Sequence, residues 1–196
     1  MEECGGQLDA RGQDYLQRID KATRNMGQLI EDLLKLARAT RGELQHAEVD
    51  LSHLAKAAVE ELRKSDVDRD IEVAIKDGVV ASGDARLLRI VLDNLLGNSW
   101  KYTRNTARPR VEFGAEVVDH ETRYFVGDNG VGFDMAQSDR LFRPFHRLHT
   151  EAEFAGTGIG LATVKRIVSR HGGRVWGEAV EGRGATFYFQ LPESRA

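Results

Sequence analysis

The sequence predicts an α+β protein: a mixed, hairpin-rich sheet covered by helices and preceded by one long helix. Three observations carry that expectation. The first 44 residues hold a continuous apolar seam at helical spacing. Beyond them, short alternating segments outnumber what a simple strand–helix alternation would supply, which argues against a doubly wound parallel sheet. Three later segments carry helical periodicity or helix start and stop signals.

Taken in order, residues 8–44 contain neither proline nor strand-like alternation. Tyr15, Ile19, Ala22, Met26, Leu29, Leu33 and Leu36 follow at steps of 4, 3, 4, 3, 4 and 3, an unbroken heptad seam. Leu16, Ile30, Leu34 and Ala37 widen it into the stripe of a bundle helix. Gly27 interrupts it at modest cost, and Gly42 is the expected stop. A lone helix cannot bury such a stripe, so a partner is expected. Residues 46–51 read as a short strand, with Asp50 or Ser52 capping a helix that runs to about residue 64. Residues 71–75 alternate like a half-buried strand.

Residues 84–103 form a strong helix with Leu88, Val91, Leu95 and Tyr102 on its apolar side. Residues 110–118 and 122–126 are neighbouring strands that turn at Asp119-His120. A glycine loop opens a helix at residue 160, and Gly172-Gly173 closes it. Residues 174–176 and 185–191 complete a last hairpin. No internal repeat is visible.

Composition narrows the function. The 196 residues are 41% hydrophobic and 30% charged, which is ordinary for a globular protein. A net charge of −3 argues against a general nucleic-acid binder. The single cysteine, Cys4, forms no internal disulfide and excludes a secreted disulfide scaffold. No apolar run approaches the ~18–20 residues that span a bilayer, and the acidic start lacks a signal-peptide core. The chain is expected to be cytoplasmic, from a parent either soluble or membrane-anchored.

Three motifs carry chemistry. Asn94, Asn98 and Lys101 share one helix face. An amide oxygen suits Mg²⁺ that draws its charge from nucleotide phosphates, and a lysine one turn away meets a phosphate as a point charge. Taken alone, that face could equally be solvated. Asp128-Asn129-Gly130-Val131-Gly132 follows an apolar strand. A buried carboxylate there suits an exocyclic amine such as that of adenine; taken alone, the segment is also ordinary turn chemistry. Gly156-Thr157-Gly158-Ile159-Gly160-Leu161 leads directly into a helix, a ready anion site. It is no P-loop, since no Gly-Lys-Ser/Thr follows, and Leu161 stands where a dinucleotide fingerprint has its third glycine. Between the glycine elements, Leu141-Phe142-Arg143-Pro144-Phe145-His146-Arg147 has the anchors and cations of a mobile lid.

These residues resemble the ATP-binding domain of bacterial sensor histidine kinases, within the wider ATPase superfamily that includes gyrase and MutL. The stretch 91–103 resembles the asparagine box, and Asp128-Asn129-Gly130-Val131-Gly132-Phe133 the first glycine box. The stretch 141–147 resembles the phenylalanine box, 156–162 the second glycine box and 182–187 the last. Trp100 and the Phe-His-Arg-Leu-His run look closest to phytochrome-like and PAS-linked kinases. The resemblance implies a Bergerat-type two-layer α/β sandwich with a mainly antiparallel sheet. It implies ATP and Mg²⁺ as ligands, with Asn98 holding the metal and Asn94 polar beside it. Lys101 and Arg147 would contact phosphates, Tyr102 would line the nucleoside pocket, and Asp128 would read the adenine amine with Thr186 nearby through water. Gly130 and Gly132 would admit the ligand to the backbone. Gly156, Thr157, Gly158, Ile159, Gly160 and Leu161 would wrap the phosphates and hinge the lid.

In such kinases the γ-phosphoryl goes to a histidine on the first helix of a dimerisation hairpin. That histidine is followed by an acidic residue and, shortly after, a proline. Residues 1–44 resemble the second helix of that hairpin, and 45–196 the catalytic domain. His120-Glu121-Thr122-Arg123 begins like the acceptor motif, but Phe125 stands at the proline position; His46 and His53 lack the motif. His146 and His149 read as lid-surface histidines, and His171 as a helix C-terminal residue favoured when positive. The expectation is a catalytic fragment without its own acceptor, unable to phosphorylate itself. Its partners would be a receiver domain and, through the helical bundle, a second copy of the parent. The competing readings are a stand-alone ATPase, disfavoured because Asn94 replaces a general-base glutamate, and a degenerate nucleotide-binding interaction module.

Overall fold

The computed structural model describes residues 9–38, 43–150, 154 and 156–192. Its order is α1 (Ala10–Arg38), β1 (Ala47–Asp50), α2 (Leu51–Ser65), β2 (Glu72–Ile75), β3 (Val80–Gly83) and α3 (Ala85–Tyr102). There follow β4 (Arg110–Val118), β5 (Glu121–Asp128), a 3₁₀ segment (Met135–Arg140), α4 (Gly160–Arg170), β6 (Arg174–Val180) and β7 (Gly184–Gln190). Five strands form one sheet in the order β2-β4-β5-β7-β6, while β1 and β3 pair separately. Only β2 and β4 run parallel in the large sheet; its other pairs are antiparallel. The fold is the mixed, mainly antiparallel α+β sandwich that the sequence predicts.

The long helix keeps its apolar stripe in solvent. Tyr15, Ile19, Met26, Ile30, Leu33 and Leu34 are all exposed and Leu29 is half-buried, so most of the heptad seam is uncovered among the described residues. The side chains of Leu36 and Ala37, and all of Gly42, lie outside the described residues.

The core lies between the sheet and α2, α3 and α4. Val111, Phe113, Val126, Phe187 and Phe189 line the inner face of the sheet. Leu88, Val91, Leu92, Leu95 and Leu96 meet them from α3, each at most 1% exposed. Such burial stabilises by roughly 1.5–3 kcal/mol per large side chain. Asp50 caps α2 by accepting from His53 N–H, the first of the two expected caps. The alternation extends further than the sequence suggests: β6 runs on to Val180, and β3 is a further four-residue strand. Val80-Ala81-Ser82-Gly83 carries no apolar–polar alternation to announce it.

Buried polar joints fix α3, the helix that carries the predicted polar face. At its start Asp84 accepts from Arg86 N–H, while the Arg86 guanidinium reaches its other oxygen at 2.9 Å. Arg86 holds the Asp84 carboxyl down to about 2, with backbone N–H donors of Gln45 and Arg86 adding to it. Asp84 N–H donates to His171 Nε2 at 3.0 Å, and His171 Nδ1–H donates to Ile167 O at 2.8 Å. That pattern needs a neutral imidazole, and burial pushes the His171 pKa down. His171 therefore corrects the expectation of a favourable helix-end charge: it is a buried, neutral tie between α4 and the start of α3. At the far end Arg69 donates to Trp100 O and to Thr103 Oγ1, anchoring the last turn.

Candidate functional site

A cleft of about 610 Å³, its open mouth included, lies between the last turns of α3, the end of β5 and the loop that precedes α4. Eight of the predicted residues line it: Lys101, Tyr102, Asp128, Gly132, Arg147, Gly156, Gly158 and Leu161. The space suits a small-molecule ligand with a largely apolar body.

The floor is built from regular structure. Asp128 is the last residue of β5 and alternates inward with Tyr124 and Val126. Its Oδ1 accepts from Gly130 N–H and its Oδ2 from the Ser99 hydroxyl, both at 2.9 Å. Burial pushes the Asp128 pKa up, and the Gly130, Ser99 and Ala185 hydrogen bonds pull against it. Gly132 has φ +61°, and a Cβ there would stand 2.2 Å from Val180 O, so only glycine makes this turn.

Lys101 and Tyr102 form one wall, with the ammonium 4.1 Å from the Tyr102 ring centroid. Lys101 Nζ also faces Gly156, 3.2 Å from where a Cβ would be. The opposite wall is the lid. Arg147 donates to Phe154 O. His149 Nε2 bonds Gly132 O at 2.9 Å, and its ring packs on Tyr102 and Phe154. His146 lines the cleft, and its buried Nδ1 has no partner among the described residues. The two histidines are therefore turned inward, not spread on the lid surface. Phe145 carries the lid's outer face, 62% exposed at φ +62°, with its N–H on Gly158 O. Lid residues 151–153 and 155 lie outside the described set.

Other predicted residues lie off the cleft lining. Asn94 donates from Nδ2 to Ile90 O at 2.7 Å and turns Oδ1 toward Gly160. Asn98 is half-buried one turn further on, with no side-chain partner among the described residues. Gly130 serves through its N–H, and Thr157 Oγ1 accepts from Ile159 N–H at 3.4 Å. Ile159 is fully buried and precedes Gly160, the first residue of α4, so its side chain is a core anchor.

Thr186 is a correction. Phe187 and Phe189 point into the core, so Thr186 faces the opposite side of the sheet and Ala185 meets the cleft beside Asp128. The parity of those two phenylalanines was the available signal. Ser99, Phe133, Leu141, Leu148 and Phe187 fall within the quoted motifs, and the sequence assigns them no role of their own at the site. His120 sits in the β4–β5 turn at φ +65°. Seven strand residues lie between it and Asp128, eight steps or roughly 26 Å at the usual rise.

This constellation sets a half-buried acceptor on a strand end among a lysine, an arginine and a glycine loop, chemistry that suits a ligand bearing both phosphate and an amine. The profile of the histidine kinase-, DNA gyrase B- and HSP90-like ATPases matches residues 83–195, and the chain belongs to that family. It is 33% identical over 187 residues to cyanobacterial phytochrome A of Nostoc sp., covering 95% of this chain and 24% of the relative. It is 35% identical over 178 residues to the methanogenesis regulatory histidine kinase FilI of Methanothrix harundinacea, covering 90% of this chain and 20% of that protein. The chain thus spans a quarter or less of the length of these two relatives. Among solved structures, full-length ShkA in complex with AMPPNP superposes with a TM-score of 0.71 at 29% identity, over 95% of this chain and 40% of that one.

Proposed function

We propose that this chain is the ATP-binding catalytic part of a sensor histidine kinase, passing the γ-phosphoryl of ATP to a histidine in two-component signalling. The observation that carries the reading is the cleft in a chain of this ATPase family: Asp128 at its floor, with Lys101 and Arg147 on facing walls. The AMPPNP complex of the similar ShkA supports an adenine nucleotide as the ligand.

In this reading Asp128 accepts a hydrogen bond from the adenine amine, and Tyr102 flanks the nucleoside. Lys101 and Arg147 meet the phosphates, Arg147 exchanging Phe154 O for a phosphate oxygen. Loop 156–161 presents backbone N–H groups at the start of α4 to the same anion. Among the described residues no three His, Cys, Asp or Glu side chains converge, so Mg²⁺ would take its oxygens from Asn98, water and phosphate. Asn98 offers a hard oxygen that no other side chain engages among the described residues. The bound ion would neutralise charge on the transferring phosphoryl group.

Transfer breaks the bond between the γ-phosphorus and the β–γ bridging oxygen, forms a phosphorus–nitrogen bond and releases ADP. None of the six histidines carries the acceptor motif, so the acceptor is a histidine outside this sequence. Residues 1–44 are then part of the dimerisation region and 45–196 the catalytic domain. A receiver domain and a second copy are the partners, in the cytoplasm.

The test is incubation with γ-labelled ATP and Mg²⁺, alone and with a separate helical hairpin bearing an acceptor histidine. Label should appear on the hairpin alone. Acid-labile phosphate on this chain would refute the missing-acceptor reading, and steady hydrolysis without acceptor would favour a stand-alone ATPase.

A further inference from the structure

Ser99 is fully buried on α3 amid Leu92, Leu95 and Leu96, an apolar neighbourhood in which a hydroxyl is costly. A serine inside a helix ordinarily returns its hydroxyl to the carbonyl four residues earlier. Here it reaches across to β5 and donates to Asp128 Oδ2 at 2.9 Å. Its own carbonyl is held by Thr103 Oγ1 at 2.7 Å, and Thr103 Oγ1 in turn accepts from Arg69 Nη2 at 2.9 Å. The chain Arg69–Thr103–Ser99–Asp128 therefore sets where the carboxylate points. Ser99 is the one side chain bonded to Asp128 among the described residues, since Ala185 opposite it bears no hydroxyl.

We propose that Ser99 is a positioning residue for Asp128, orienting the carboxylate to receive an exocyclic amine and so setting a preference for adenine over a 6-oxo base. The inference rests on the nucleotide reading of the cleft. With Gly130 N–H on Oδ1, the Ser99 hydroxyl on Oδ2 and the Ala185 N–H as a third donor, the carboxylate's roughly four acceptor positions leave about one for the ligand. An amine is welcomed there, and the O6 of hypoxanthine meets another acceptor. The Ser99 hydrogen bond also favours the ionised carboxylate against its burial. The charged and titratable groups around it are Lys101, His146, Arg147 and His149 across the cleft, with Glu178 and Arg183 behind β7.

The experiment is calorimetric titration of the whole chain with ATP and with ITP, from pH 5 to pH 8, for the wild type and for Ser99→Ala, Ser99→Cys and Ser99→Thr. Ser99→Ala should weaken ATP about 10-fold while leaving ITP nearly unchanged, collapsing the ATP:ITP ratio. Its ATP affinity should also begin to fall at a higher pH than in the wild type. Ser99→Cys, of similar volume and with a weak donor, should behave like alanine, and Ser99→Thr should restore the ratio. Equal losses for ATP and ITP, or an unmoved ratio and pH profile in both the Ala and Cys variants, would reduce Ser99 to a packing residue and overturn the proposal. A wild type that binds no ATP would overturn the nucleotide reading itself, a result visible before any variant is made.

Discussion

The floor and the lid of the cleft are built on opposite principles. At the floor, Asp128 ends a strand, its Oδ2 accepts from Ser99 within a helix, and its Oδ1 accepts from Gly130 N–H in the turn that follows the strand. On the lid, Arg147 and His149 bond backbone carbonyls of Phe154 and Gly132, and His146 keeps a buried nitrogen unpaired among the described residues. Floor bonds fix the carboxylate in advance; in the proposed reading, lid bonds exchange for phosphate oxygens. Preorganisation at one end and exchange at the other would then let one ligand be selected by its base and retained by its phosphates.

The largest break in this comparison is Asp128→Asn. It keeps the volume but presents an amide where an acceptor is needed, and it removes the charge that Gly130 N–H and Ser99 face. ATP and adenosine binding should both fall about 100-fold, near the upper end for a lost charged hydrogen bond. Calorimetry with both ligands checks it. Equal affinity for the variant and the wild type would remove Asp128 from the site.

How far this division was legible depends on periodicity. The heptads of α1 and the apolar side of α3 stand out because each repeats over several turns. Asp128 and Lys101 were found because each closes a periodic element. Ser99 was invisible, since a small polar residue on a helix reads as solvated until a strand from elsewhere packs on it. Thr186 follows only from the resemblance of 182–187 to the last glycine box, while the parity of Phe187 and Phe189 turns it to the other face of the sheet. Tyr102 was placed with the apolar side of α3, yet it is half-exposed under the lid. The lid contacts have no period at all, so nothing announces that His149 would find Gly132.

Acid should attack the frame of the floor before the lid. His171 must be neutral, and its lowered pKa means the unfolded chain binds that proton more readily, so stability drops as pH falls through about 6.5. Asp84 titrates at about 2 when folded, against 3.8 as its ordinary value. Its contribution is complete above that ordinary value and is lost as pH falls toward 2, on the order of 2 kcal/mol in all. Denaturant melts at successive pH values should therefore fall in two stages. Asp84→Asn should erase the lower stage alone, and an unchanged acid limb in that variant would dissociate Asp84 from the helix start.

Arg147→Ala tests the lid as a phosphate clamp. Losing one charge-assisted contact should weaken ATP about 10-fold and leave adenosine unaffected, because the base and sugar stay on the floor. Parallel loss of both ligands would mean that Arg147 shapes the floor, and the division between the two ends would dissolve.

The smallest effect is expected from His149→Ala, and it concerns rate more than affinity. The imidazole holds the lid to the Gly132 carbonyl and packs between Tyr102 and Phe154. One partly exposed hydrogen bond contributes about 1 kcal/mol, so its removal should open the lid several-fold more often. Nucleotide association should then accelerate, measured by stopped flow with a fluorescent ATP analogue. Dissociation changes only if the same bond persists with ligand bound. Faster association at unchanged dissociation assigns His149 to the empty cleft, a latch that ligand entry must break. Equal acceleration of both rates assigns it to the filled cleft as well, and no change in either shows that neither the hydrogen bond nor the ring packing of His149 keeps the lid down.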